Sequence, residues 1–532
     1  MMYNKIKYYF LLIFLLSAAS LNAYNIDLLS EYVFYPKRMI DSVNFNDIYK
    51  NPKATMLVAL FQNNLNPKMN NGFLGIDFNQ PIKIRVLNID NNDLPEIAIE
   101  FSIDSIDRFT AIVMVASKNN LAVISHGNSK EQLLLTNLKN PNAKKFPLLV
   151  KNKKVYMFID VNDELLNPQN VVDSAADQQR IKRSFEILEK LSLNPDDYST
   201  LNFLKKQNKN INLQNTDVLL SIYTNIKDEY IDKILNKFKL EFLKEFKEET
   251  LAPQILVMSK KPKLWNIENY IFKKSELSKI DDNSIIYAAA PQSSVFYFAG
   301  KDDVSELKKI INKSDKLNIP LELRNYILKF VNNISGSYSF YINNDVSEKV
   351  SGENLKTEIL KKYGAAILFE ITNQSEFDDF VNRIISDYSE NIKLEKNDGY
   401  NAIKLNVNNE EFDFYYTYIG AKKNIVVISS KLSELKKIEA SADKNSLIGE
   451  LKKQKYFLDT HNTFYYMNVK QILRDFRDLV IIQKLNPKLS EYITNSFDII
   501  WGLTKSENDL TIQNFNIKQE TEISIGEIYN LL

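Results

Sequence analysis

The sequence predicts an α+β fold: two related domains with largely antiparallel sheets and packed helices, and a helix-rich segment in the first half. Three observations carry this. Short runs rich in β-branched and aromatic residues alternate with stretches of helical periodicity. The 532 residues exceed what one core organises, at about 150 residues per domain. One turn-strand-turn pattern also occurs in both halves. With 44% hydrophobic and 25% charged residues, the chain has the composition of a globular protein able to bury cores.

The elements follow in chain order. Lys5 and Lys7 precede a continuous apolar run from Tyr8 to Leu16, and Ser17 to Ala23 supplies small residues for cleavage. This succession predicts a signal peptide over 1–23 and export. The apolar run is shorter than the roughly 20 residues a membrane-spanning helix needs, and no second such run follows, so the mature chain is expected to lack a transmembrane helix. Ile97 to Phe101, Leu121 to Ser125 and Val155 to Val161 read as strands bounded by turn residues. The first domain is assigned to 24–283. Its part from about 162 to 283 is read as helix-rich, on Ile181, Phe185 and Leu188 and then Ile231, Ile234, Leu235, Phe238, Phe242 and Phe246. The boundary falls near Lys279 to Asn283, and the second domain spans 284–532. There Val304, Leu307, Ile310 and Ile311 share one helical face behind Asp302 and Asp303. Phe377, Phe380, Val381, Ile384 and Ile385 do the same behind Ser375, and Tyr400 to Val407 and Phe412 to Ile419 read as strands.

The duplication rests on three blocks in one order. Lys118 to Ser129 aligns without a gap to Lys422 to Ser433, with Ser125 opposite Ser429. Glu100-Phe101-Ser102 resembles Glu370-Ile371-Thr372, and Tyr156 to Val161 resembles Tyr465 to Val469. A gapless strand match also predicts register, with Leu121 and Val123 on the face that Ile425 and Val427 occupy in the other sheet.

A small-residue strand at Ile286 to Pro291, a Gly-led strand into a helix over Gly364 to Phe380, and a strand at Ile425 to Ser429 resemble an uncharacterised family of bacterial exported or membrane-tethered proteins. That resemblance implies an envelope location and a non-catalytic role, and it brings no established activity.

Composition narrows the chemistry. Lys plus Arg (68) balances Asp plus Glu (67), so no global field draws the chain to nucleic acid. With no Cys and two His, disulfides, a zinc cage and a Cys-His nucleophile are not expected, although carboxylate-bound calcium stays open. His126 and His461 read as turn residues, and no G-x-S-x-G or phosphate-cradling glycine pattern occurs. Ser335-Gly336-Ser337 reads as a tight turn. Glu100 and Glu370, each set in an apolar strand, are the acids of most interest; alternation predicts that both face water. Phe412, Phe414, Tyr415, Tyr416 and Tyr418, with Phe464, Tyr465 and Tyr466, read as sheet packing, the alternative being a groove for a lipid or peptide. Lys361-Lys362 and Lys436-Lys437 read as solvated helix faces. No catalytic, cofactor-binding or metal residue is assigned. The expected function is an exported, envelope-associated protein that binds another protein or envelope component, or acts structurally. A periplasmic carrier or sensor of an apolar ligand and a carboxylate-based hydrolase of envelope glycans are the alternatives.

Overall fold

The computed structural model describes residues 24–42, 75–90, 95–107, 109–110, 123–126, 131–136, 145–159, 174–225, 252–273, 280, 284–305, 308, 311, 321–344, 362–407, 410–440, 446–453, 462–475, 486–507, 509–523 and 531. The fold is α+β with extensive antiparallel sheet and ten named helices among the described residues. It divides into two compact units, one of Met1–Asp41 and Thr55–Val257 and one of Ser42–Ala54 and Met258–Leu532.

The first unit contains β1 (Ile26–Phe34), α1 (Pro36–Ser42, ending at the unit boundary), β2 (Ile82–Ile89), β3 (Glu96–Ser102), β4 (Val123–His126), β5 (Gln132–Thr136), β6 (Phe146–Lys151), β7 (Lys154–Ile159), α2 (Ser174–Leu193), α3 (Thr200–Lys206) and β8 (Val218–Thr224). Its strands pair in the order β8-β1-β2-β3-β7-β6-β5-β4, each with its neighbour antiparallel. Asn152 and Lys153 both take positive φ, 52° and 60°, which is what a two-residue hairpin between β6 and β7 demands of its backbone. Helix α2 lays Phe185, Ile187, Leu188 and Leu191 on Leu87, Ile89, Ala98, Leu149, Tyr156 and Phe158. The other face carries a second core of Ile103, Phe109, Leu133, Leu148, Val150 and Val155, so this sheet is covered on both sides.

The chain enters the second unit along β9 (Gln254–Lys261) and turns at Pro262 and Lys263 into β10 (Leu264–Ile271). There follow α4 (Ile285–Ala288), β11 (Ser294–Lys301), α5 (Leu321–Asn333), β12 (Ile334–Asn344), β13 (Tyr363–Ile371), α6 (Gln374–Asp387), β14 (Ile392–Asn397), β15 (Tyr400–Val407), β16 (Glu410–Ile419), β17 (Ile425–Ser429), α7 (Leu432–Ala440), α8 (Leu447–Lys453), β18 (Thr463–Met467), α9 (Val469–Asp475), α10 (Pro487–Ser496), β19 (Phe497–Glu507) and β20 (Leu510–Gln519). Eight strands pair in the order β18-β11-β12-β13-β17-β16-β15-β14, and β19, β20 and β10 continue the antiparallel sheet beyond β18. The main core joins Tyr297, Tyr341, Leu368, Val427, Phe464 and Trp501 to α4, α7 and α8. On the opposite face Phe369 and Val426 pack with Phe330 of α5 and Phe377 of α6.

The pairing order of the second unit's eight strands matches the first strand for strand: β11 stands where β1 stands, β13 where β3 does, β17 where β7 does and β18 where β8 does. This corrects the block alignments. Val123–His126 form β4, at the far end of the first unit's pairing order, whereas Ile425–Ser429 form β17 between β13 and β16. Tyr156 lies in β7 and Tyr465 in β18, which again hold different places. A short apolar strand between Asn turns is too generic a pattern to fix a sheet position. Glu100 and Glu370 do hold matching places: each lies near the end of the third, in chain order, of the eight matched strands, opposite Tyr156 of β7 or Ile425 of β17. Leu121 and the side chains of β4 lie outside the described residues.

Several local expectations also change. Ile286 to Pro291 is no strand; α4 opens it, and Ile286, Tyr287, Ala289 and Ala290 are all buried, alanine favouring helix over strand. The cap of α6 is Asn373, whose side chain accepts from the backbone N–H groups of Ser375 and Glu376. The stretch 162–283 holds α2 and α3 but also β8, β9 and β10, and Ile231 to Phe246 lie outside the described residues.

Candidate functional site

The chemistry-bearing residues concentrate under α2 and α3 in the first unit. Strand alternation places Glu96, Ala98 and Glu100 of β3, Arg85 of β2 and Glu31 of β1 on the covered face, with Glu31 directly opposite Arg85. The usual pattern is inverted: Glu96, Ala98 and Glu100 are buried, while Ile97 and Ile99 are only half-buried. Arg85 Nε donates to Glu31 Oε1 at 3.1 Å and its Nη1 to Glu100 Oε2 at 2.8 Å. Lys154 Nζ of β7 donates to Glu100 Oε1 at 2.8 Å, with Lys83 Nζ 3.9 Å from the same oxygen. The other oxygen of Glu31 accepts from both the backbone N–H and the hydroxyl of Thr200, each at 2.7 Å. Thr200 opens α3 behind the Ser199 cap, so Glu31 also sits where a helix start favours negative charge. A Glu-Arg-Glu-Lys row thus crosses four neighbouring strands. Beside it Arg183 of α2 donates to Glu96 at 2.8 Å.

This row corrects the expectation that Glu100 faces water: it is 3% exposed and Arg85 1%. Alternation fails as a guide because helices cover the face that its polar positions occupy. Burial pushes the Glu100 carboxyl up, but Arg85, Lys83 and Lys154 more than reverse this and hold it at about 2. Such a carboxyl stays ionised at neutral pH and has no proton to give, so it cannot act as a general acid. Tyr156, opposite Glu100, is pushed up to about 12 by burial and by that charge. The row is costly to desolvate and holds because nearly all its polar atoms are matched; Nη2 of Arg85 alone in it lacks a hydrogen-bond partner among the described residues.

Glu370 is half-buried and engaged differently. It accepts from the Ser335 hydroxyl at 2.5 Å and from the Asn424 amide at 3.0 Å. Ser335-Gly336-Ser337 is therefore not a free turn but an irregularity at the start of β12, with Gly336 at φ 98°. A side chain there would also collide with the Asp302 carbonyl.

The aromatic strands do not form one groove. Phe412 to Tyr418 lie on β16 and Phe464 to Tyr466 on β18, and β17, β13, β12 and β11 intervene. Tyr416, Phe464 and Tyr466 are buried, and Tyr415 packs against the main core. Lys362 is likewise no solvated face: 7% exposed, it pairs with Asp475 of α9 at 3.0 Å. Asp475 also accepts from Asn344 at 2.9 Å and Tyr363 at 2.6 Å. Lys436 and Lys437 are exposed. His461, Lys361 and the His126 side chain lie outside the described residues.

Sequence reasoning did not find Arg85, Glu31, Lys154 or Asp475. The available signal was parity, since Lys83 and Arg85, and Glu96 and Glu100, recur at even spacing within otherwise apolar strands. Among the described residues, no group of three or more His, Asp or Glu is placed to hold a metal ion, and no helix is long and apolar enough to cross a membrane.

No protein-family model matches the chain. No curated protein matches it either. Crystal form III of TP0453 is similar at 12% identity and a TM-score of 0.25, over 46% of this chain and 97% of that one. Crystal form I of the same protein gives 11% and 0.23, over 48% and 98%. A likeness at these scores identifies neither the fold nor the function of the chain.

Proposed function

We propose that this is an exported, envelope-associated protein that acts by binding or by structure rather than by catalysis, built from two copies of one α+β domain. The observation that carries the non-catalytic reading is the engagement of its most suggestive acids. Glu100 is ionised and closed under helices, and both oxygens of Glu370 accept hydrogen bonds from neighbouring side chains. Carboxylate-based hydrolysis needs one acid that can hand over a proton; Glu100 has none to give, and both oxygens of Glu370 are engaged by side chains of its own unit. Two copies are supported by the shared order of eight strands and by Glu100 and Glu370 at matching places. Export is supported by the charged, apolar and small-residue succession before residue 24.

Two measurements test the reading. N-terminal sequencing of the protein from native envelope fractions is expected to begin near residue 24; Met1 retained on a cytoplasmic protein overturns the location. Incubation with purified cell-wall glycan is expected to release no soluble sugar. Release that Glu100→Gln or Glu370→Gln abolishes overturns the non-catalytic reading.

A further inference from the structure

We infer that the cleft between α5 and α6 in the second unit is a binding site for a neutral saccharide. The cleft measures about 410 Å³, and its lining includes Glu322, Tyr326 and Lys329 of α5, Arg383 and Asp387 of α6, and Tyr388 just beyond. Three features of that lining select the ligand class.

The first is charge. Lys329 and Arg383 balance Glu322 and Asp387, so the four charges of the cleft sum to zero and favour neither an anion nor a cation. Arg383 lies 3.8 Å from Asp387, and the Tyr326 hydroxyl donates to the same carboxylate. The second is polarity. Donors and acceptors line most of the cleft, which disfavours an apolar ligand, since such a ligand would desolvate them without replacing their hydrogen bonds. The third is the pair of tyrosine rings, whose centroids lie 6.2 Å apart at 53°. Tyr388 is 44% exposed, so part of its ring surface is open to a ligand in the cleft. A sugar ring has an apolar C–H face and a rim of hydroxyls, so it can stack on a tyrosine while its hydroxyls reach the guanidinium and carboxylates alongside.

The cleft is also held firmly from beneath. Phe330 of α5 contacts Phe369 at 5.3 Å and Phe380 at 5.9 Å between ring centroids, and Phe377 of α6 contacts Phe369 at 5.6 Å. The two helices therefore share one aromatic base, which fixes the spacing of the groups above it and limits the ordering cost of binding. Binding here depends neither on the location of the chain nor on the acids of the two central strands.

The test is isothermal titration of the full chain with four neutral tetrasaccharides, of β1,4-linked glucose, α1,4-linked glucose, β1,4-linked N-acetylglucosamine and β1,4-linked mannose, with a sulfated tetrasaccharide as the charged control. Binding of at least one neutral probe is expected. Tyr388→Ala is expected to weaken it by about tenfold or more, as truncating an aromatic anchor does. Asp387→Asn is expected to weaken it in the same direction. Both residues are exposed, so neither change threatens folding, and unchanged circular dichroism confirms that. The proposal is overturned if no neutral probe binds, if only the sulfated probe binds, or if Tyr388→Ala leaves the affinity unchanged.

Discussion

The third of the eight matched strands in each unit carries a glutamate at the matching place, and the two units hold it in opposite ways. In the first, Glu100 belongs to a row of full charges, with Arg85 and Glu31 on the adjoining strands. In the second, the positions that pair as Glu31 and Arg85 do are Ala299 and Ser339, and Glu370 accepts from a serine and an asparagine instead. The same pairing pattern thus tolerates a buried ion row or a half-buried carboxyl held by uncharged hydrogen-bond donors. Strand order depends on backbone pairing and on burying the apolar faces, not on how one polar position is satisfied. What differs is sensitivity: a buried charge left without its partner costs far more than a lost neutral hydrogen bond.

The largest expected effect exploits that asymmetry. Glu100→Gln removes the charge matched to Arg85 and Lys154 and is expected to cost about 3–5 kcal/mol, whereas Glu370→Gln is expected to cost only about 1 kcal/mol. Urea unfolding of the two variants measures both, and equal losses would break the contrast.

Acid sharpens it next. The Glu100 carboxyl lies near 2 in the fold against an ordinary 4.5, so its contribution is fully present above about pH 4.5 and is lost as the pH falls toward 2. The difference amounts to about 3 kcal/mol. Both tryptophans, Trp265 and Trp501, lie in the second unit. Acid titration between pH 4.5 and 2 is therefore expected to lower far-ultraviolet circular dichroism before tryptophan fluorescence changes. Fluorescence changing first would mean that the second unit is the acid-sensitive one.

A packing change should act on the second unit alone. Gly502 of β19 lies directly opposite Tyr465 of β18, and an added methyl would meet the tyrosine ring. Gly502→Ala is expected to cost about 1–3 kcal/mol, read as an earlier fluorescence transition with the first unit's stability unchanged. A smaller effect than that of Gly502→Ala belongs to the link between Glu31 and α3. Thr200→Val keeps the backbone N–H bond but deletes the hydroxyl bond to Glu31, and is expected to cost about 1–2 kcal/mol, seen as faster amide exchange in α3.

Much of the architecture was legible. Strands at Ile97, Val155, Tyr400 and Phe412 and the helix at Phe377 follow from periodicity, because period 2 and period 3.6 are written locally in the chain. The matching places of Glu100 and Glu370 in the pairing pattern were legible for the same reason, since both lie at the end of an apolar run. The longer match from Lys118 to Ser129 misled, because hairpin-like strands between Asn turns resemble one another wherever they stand in a sheet. The aromatic groove likewise dissolved once four strands came between its halves.

By itself the sequence determined the α+β class, the absence of cysteine chemistry, and the alternation that sets each side chain on one face or the other. Only the tertiary structure decided what covers each face. Glu100 reads as a solvent position from β3 alone, yet it is buried on the face where α2, joined to the sheet from more than roughly 70 residues further along, packs on its neighbours Ala98 and Tyr156. Its partners Arg85, Glu31 and Lys154 come from three other strands. A charge's environment is set by everything that packs within a few ångströms of it, and that neighbourhood is assembled from sequence separations that no local pattern records.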